Sequence, residues 1–95
     1  MKKGLKISDN DNVITLLESV KEGDEISFGN ESIKANQDTK TFHKIAIKDI
    51  KKDDIVYKYG QVIGDALEDI NIGDHVHTHN IESTRGRGDK NVKGL

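Results

Sequence analysis

The sequence predicts a compact, mostly β fold of short strands with one or two helical turns, and three observations predict it. There is no proline in the 95 residues, so turns fall to Gly, Asp and Asn, which recur at short intervals between apolar pairs and triplets. Hydrophobic residues make up only 33% of the chain, which limits the core to a small one. A weak repeat also runs through Val20-Lys21-Glu22-Gly23-Asp24-Glu25-Ile26, Ile50-Lys51-Lys52-Asp53-Asp54-Ile55-Val56 and Ile70-Asn71-Ile72-Gly73-Asp74-His75-Val76. Each copy has Asp at the fifth place and apolar residues at the first and seventh, the pattern of a turn launching a strand.

The copies are too irregularly spaced for a solenoid, so they read as one turn reused in a compact fold. Strands are expected at Ile26–Phe28, Ser32–Lys34, Ile45–Ile47, Ile55–Tyr57, Val62–Ile63 and His75–His79, several with period-two alternation. In Asp11–Val20, residues Val13, Leu16, Leu17 and Val20 keep helical spacing, while Val13-Ile14-Thr15 has strand composition. A strand followed by a helical turn is expected there. Residues 1–95 read as a single domain with its core at about 5–80 and a charged, flexible tail from Ser83.

Composition excludes several functions. Fifteen Lys and Arg against 17 Asp and Glu leave a net charge of −2, so binding of nucleic acid by charge alone is not expected. The absence of cysteine removes disulfides, thiolate metal sites and cysteine nucleophiles. The basic start Met1-Lys2-Lys3 is followed by no apolar stretch, so no membrane partner and a cytoplasmic location are expected. No phosphate-binding loop, nucleophile elbow or dinucleotide fingerprint is present.

What chemistry remains centres on histidine. His75, His77 and His79 alternate, and His43 opens the Lys44–Ile47 segment. On an extended strand, Cα atoms two residues apart lie about 6.5–7 Å from each other on one face, close enough for two imidazoles to share a divalent ion. His77 and His79 are therefore the expected metal ligands, with His75 assigned to the preceding turn. A third ligand is needed, from His43, His75, Asn80, Glu82, a partner or the substrate. Nitrogen and oxygen donors without sulfur admit Fe²⁺, Mn²⁺ or Zn²⁺, and Fe²⁺ is the favoured expectation. A solvated edge strand would give the same alternation.

Arg85-Gly86-Arg87-Gly88 offers guanidiniums for a carboxylate on a pliant backbone, or simply a charged tail. Tyr57 and Tyr59 share a strand face and read as packing or interface residues rather than catalysts.

The runs His43-Lys44-Ile45-Ala46-Ile47-Lys48-Asp49-Ile50, Val56-Tyr57-Lys58-Tyr59-Gly60-Gln61-Val62-Ile63-Gly64 and His75-Val76-His77-Thr78-His79-Asn80, in that order, resemble the SAF-type domain of altronate dehydratase. They are also similar to the N-terminal domain of galactarate dehydratase and the small subunit of sulfolactate sulfo-lyase. The resemblance covers roughly Asp9 to Asn80. It implies a β-clip fold and a metal-dependent lyase that dehydrates a sugar acid or desulfonates sulfolactate. It further implies a separate large catalytic subunit as partner, with the isolated chain inactive; self-association is left open.

Carried onto this sequence, the resemblance gives His43 and Lys44 catalytic roles, His43 as third ligand or as the acid protonating the leaving group. His77 and His79 hold the metal and Asn80 contacts substrate. In the mechanism these roles suggest, Lys44 binds the substrate carboxylate together with Arg85 and Arg87, which lie beyond the matched run. Two rivals differ in class: a module that only captures a sugar acid or sialic-acid-like ligand, and a structural partner that orders the large subunit.

Overall fold

The computed structural model describes residues 1–83; the Arg85 and Arg87 expectation and the tail lie outside them. All three repeat segments fold as one kind of turn. In Lys21–Asp24, Lys51–Asp54 and Asn71–Asp74 the fourth residue's N–H donates to the first residue's carbonyl at 2.9 Å. The same aspartate's carboxylate accepts the first residue's N–H at 2.9, 3.1 and 2.8 Å. The third residue takes a left-handed conformation at Gly23 (φ 87°), Asp53 (φ 75°) and Gly73 (φ 92°), as a type II turn requires.

The structure adds a fourth copy that the sequence pattern hides, Lys40–His43. The His43 N–H donates to the Lys40 carbonyl at 3.1 Å, and Phe42 holds φ 67°. His43 stands where the other copies have their capping aspartate. Each turn also hooks a segment distant in sequence in the same way: Gly23, Phe42, Asp53 and Gly73 donate to the carbonyls of Ala35, Leu16, Ala66 and Ala46 at 2.7–2.8 Å. A side chain three residues beyond each of those, Asp38, Ser19, Asp69 and Asp49, accepts from the turn's second N–H at 2.8–3.1 Å. Isolated bridges Val20↔Thr39 and Ile50↔Ile70 cross-link the turns in pairs. Residues 16–76 thus form two similar halves, Leu16–Ile45 and Ala46–Val76.

Among the described residues there are strands β1 (Lys2–Leu5), β2 (Val13–Leu16), β3 (Glu25–Phe28), β4 (Glu31–Lys34), β5 (Lys44–Ala46), β6 (Ile55–Lys58), β7 (Gln61–Ala66), β8 (His75–Val76) and β9 (Ile81–Ser83), and no helix. The expected helical turn after Val13–Thr15 is absent: Leu16 continues the strand, and its N–H and carbonyl are taken by His43 and Phe42. One sheet runs β4-β3-β1-β2-β5-β8 and a second β6-β7-β9. β1 pairs antiparallel with β2 and parallel with β3.

Strand alternation puts a core on each face of the larger sheet. Val13, Ala46 and Val76 pack with Val56, Ala66 and Ile81, which joins the two sheets. Ile14, Leu16 and Ile45 pack on the other face with Ile26, Phe28 and Ile47, inside the curl of the larger sheet. Fully burying one such side chain contributes about 1.5–3 kcal/mol, so two small cores of aliphatic residues suffice where aromatics are scarce. This compact, mostly β arrangement of short curled strands is that of a β-clip.

Candidate metal centre

The antiparallel pairing of β5 with β8 sets Ile45 opposite His75 and Lys44 opposite Val76. His43, two residues before Ile45, shares its face, so His43 and His75 meet at one rim of the sheet. His43 Nδ1 lies 2.9 Å from His75 Nε2. Their rings are 5.0 Å apart, and the His77 ring stacks 5.5 Å from His43 and 5.6 Å from His75.

The expected strand His75–His79 stops at Val76. His77–Asn80 turns instead: the N–H groups of Asn80 and Ile81 both donate to the His77 carbonyl, at 3.0 and 3.1 Å. The cause is Asn80, 4% exposed. Its Oδ1 accepts the His77 N–H at 2.9 Å and its Nδ2 donates to the His75 carbonyl at 2.8 Å, an amide bracket that favours a turn over further extension. Expected to touch substrate, Asn80 lies beneath the histidines and shapes their loop.

That turn changes which histidines converge. His43, His75 and His77 each offer a ring nitrogen, all within 4.8 Å of one another. His75, assigned to the turn by its sequence position, is a member of the trio. His79 stands outside the trio, its ring 5.4 Å from His75. The alternation of 75 with 77 was the available signal; the register with β5 that brings in His43 was not readable.

The trio fits a divalent ion. Nitrogen ligands at about 2.0–2.1 Å from a metal lie about 2.9–3.4 Å from one another, and the His43–His75 separation already matches. Ligation needs neutral imidazole. Burial, followed by the charges of His43, His79, His77 and Lys44, pushes His75 down to about 4, so it is neutral at physiological pH.

Lys44 lies on the opposite face of β5, across from Thr15 and Val76. Burial and then the charge of Lys58 hold its ammonium below the usual lysine range. Tyr59, read as a packing or interface residue, is exposed, and its hydroxyl donates to Thr15 Oγ1 at 2.8 Å.

Fold and site together define a β-clip module that presents a histidine cluster at a sheet rim. The chain belongs to the family described as the altronate/galactarate dehydratase SAF domain, whose model matches residues 2–84. It is 41% identical over 83 residues to altronate dehydratase of Bacillus subtilis, covering 87% of this chain and 17% of that protein. It is 46% identical over 76 residues to altronate dehydratase of Escherichia coli, covering 80% and 15%. To (2R)-sulfolactate sulfo-lyase subunit alpha of Paracoccus pantotrophus it is 43% identical over 51 residues, covering 54% of this chain and 76% of that protein. The chain therefore spans about a sixth of the altronate dehydratases it matches.

Proposed function

We propose that this chain is the SAF module of a metal-dependent lyase that dehydrates a sugar acid such as altronate, or desulfonates sulfolactate, together with a larger catalytic polypeptide. The observation that carries the reading is the convergence of His43 with His75 and His77, from two segments distant in sequence, to within 4.8 Å of one another. Relatives named as altronate dehydratase and as a sulfo-lyase subunit support the reaction class.

Elimination from a sugar acid removes the proton α to the carboxylate and expels the β-hydroxyl as water, or sulfite from a sulfonate. A divalent ion, Fe²⁺ in preference to Mn²⁺ or Zn²⁺, supplies Lewis-acid stabilisation of the negative charge that develops on the substrate oxygens. His43, His75 and His77 would hold it. Asn80 fixes the approach of His77 to His75 through the two backbone groups it bonds, a supporting role that metal ligands need. His79 sits exposed beside the trio and would serve as an acid for a leaving group that must gain a proton.

The test is to co-purify the chain with its large partner and measure metal content and turnover on altronate, galactarate and sulfolactate. About one ion per chain is expected, with His77→Ala losing more than about 100-fold in rate while the complex stays intact. A fully active complex without metal would overturn the metal reading. Capture of sugar acids with no turnover on any of the three would favour a binding module.

A further inference from the structure

Phe42 is a residue that the stability of the fold does not explain. Its place in the other three turns is held by Gly23, Asp53 and Gly73. The Phe42 N–H donates to the Leu16 carbonyl at 2.7 Å, and the Leu16 N–H donates to the His43 carbonyl at 2.9 Å, so Phe42 and His43 together face Leu16. That is a β-bulge with a left-handed first residue, a place suited to glycine because a side chain there strains the backbone. Here it carries a phenyl ring that is 73% exposed. The fold bears the strain and gains little burial from the ring, a combination that fits a side chain buried against another body.

Its position says which body. β2 ends at Leu16, β5 begins at Lys44 and β8 ends at Val76. Because β5 runs antiparallel to both, Leu17, Phe42 and His77 gather at one end of the sheet. Leu17 is 47% exposed, its N–H tied to the Lys3 carbonyl at 2.9 Å. An apolar pair thus stands at the sheet end that carries the histidine trio. Exposed Lys3 and Lys40 lie at its margin, and neither makes an ion pair among the described residues; the two that form are Lys2–Glu18 and Lys6–Glu31. An apolar centre with a charged rim is the make-up of a protein–protein contact. Three imidazoles leave the rest of a metal's coordination, and most contacts to a sugar acid, to groups from elsewhere. Whatever supplies those groups has to cover this end of the sheet. The altronate dehydratases, of which this chain matches 17% and 15%, have ample further chain for such a body.

We propose that Phe42 and Leu17 anchor this module in an apolar pocket of the large catalytic polypeptide, flanked by carboxylates that meet Lys3 and Lys40. Docking there brings the partner's groups over the histidine trio. The identity of the partner rests on the lyase reading; the exposed, strained anchor does not.

The test measures binding between the purified 95-residue chain and its large partner. Phe42→Gly should raise Kd about 30-fold and Leu17→Ala about fivefold. Ile72 is also exposed and apolar, but it lies in the turn bonded to the other end of β5; Ile72→Ala should change Kd by less than about twofold. Free Phe42→Gly should keep its Zn²⁺ affinity within about threefold and its unfolding midpoint should not fall, which separates lost docking from a damaged site or fold. Saturating amounts of either anchor variant should restore the wild-type rate. Unchanged affinity in both anchor variants would overturn the docking surface and leave the lyase reading intact. A free chain that sediments as a dimer, and as a monomer once Phe42 is glycine, would overturn it too by placing a second copy on the patch. A complex that depends on Phe42 yet turns over none of altronate, galactarate and sulfolactate would remove the lyase reading and keep the docking surface. Failure of the wild-type chain to bind a large partner would remove both.

Discussion

His43 Nδ1 and His75 Nε2 face each other at 2.9 Å, so one ring must donate and the other accept, and protonating both would break the contact. Burial together with the neighbouring histidines already holds His75 down to about 4. Unfolded, it would titrate near 6.5. The unfolded chain therefore binds more protons between those values, and the stability His75 contributes is fully present above about pH 6.5 and lost as pH falls towards 4. Because the ring is partly solvated, the loss should be only about 1 kcal/mol. Thermal midpoints at pH 7 and pH 4.5 measure it; His75→Gln should reduce that difference, and an unchanged pH dependence would refute the assignment.

Metal affinity should separate the four histidines. His43→Ala, His75→Ala and His77→Ala are each expected to weaken divalent-ion binding by tenfold or more, since two nitrogen ligands hold poorly what three hold well. His79→Ala should change it by less than about threefold. Calorimetry with Zn²⁺ or Mn²⁺ decides; the reverse order would restore the alternating pair as ligands.

Replacing Asn80 by Ala strands the His77 N–H and the His75 carbonyl at a mostly buried position. A loss of about 2 kcal/mol is expected in urea unfolding, together with weaker metal binding. Asn80→Asp keeps the acceptor and should fall between.

Two glycines in equivalent turns should respond unequally. A methyl group at Gly23 meets nothing within 4 Å, whereas one at Gly73 would overlap the Lys34 carbonyl oxygen and crowd Asn36. Both carry left-handed φ. Gly23→Ala should cost about 1 kcal/mol, and Gly73→Ala about 3 kcal/mol or more, because rigid backbone must also move. Equal losses in chemical denaturation would show that the Gly73 turn can relax.

The same turn position is held by Phe42, left-handed at φ 67° and 73% exposed. Phe42→Gly should relieve the backbone strain and raise stability by about 0.5–1 kcal/mol, net of the greater freedom of glycine in the unfolded chain. A fall in the unfolding midpoint would mean that the ring makes a stabilising contact.

The sequence displayed its turns better than its strands. Asp at the fifth place marks three of the four copies because that carboxylate caps its own turn; the fourth was invisible since His43 has replaced it. β1 gave no signal: Lys2-Lys3-Gly4-Leu5 buries nothing of its own in the cores and is held by backbone pairing on both sides, with Gly4 packed against Ile14. β9 was likewise missed. The end of β8 was misjudged because the alternation of the histidines continues through residue 79, and only the Asn80 amide, acting across the turn, breaks it. The four histidines were evident as a group, but which of them meet depends on a register between residues 32 apart.

The internal repeat brings equivalent positions of its two copies together along one seam. In their correspondence His43 matches Asp74, Lys44 matches His75 and Ile45 matches Val76, and the β5–β8 pairing sets Lys44 beside Val76 and Ile45 beside His75. The matched residues Lys44 and His75 project from opposite faces of the sheet, so the two copies need not carry the same chemistry. One holds His43 where the other keeps a capping aspartate, Asp74, and the other holds His75 where the first keeps Lys44, so that repetition supplies the turns and divergence supplies the cluster.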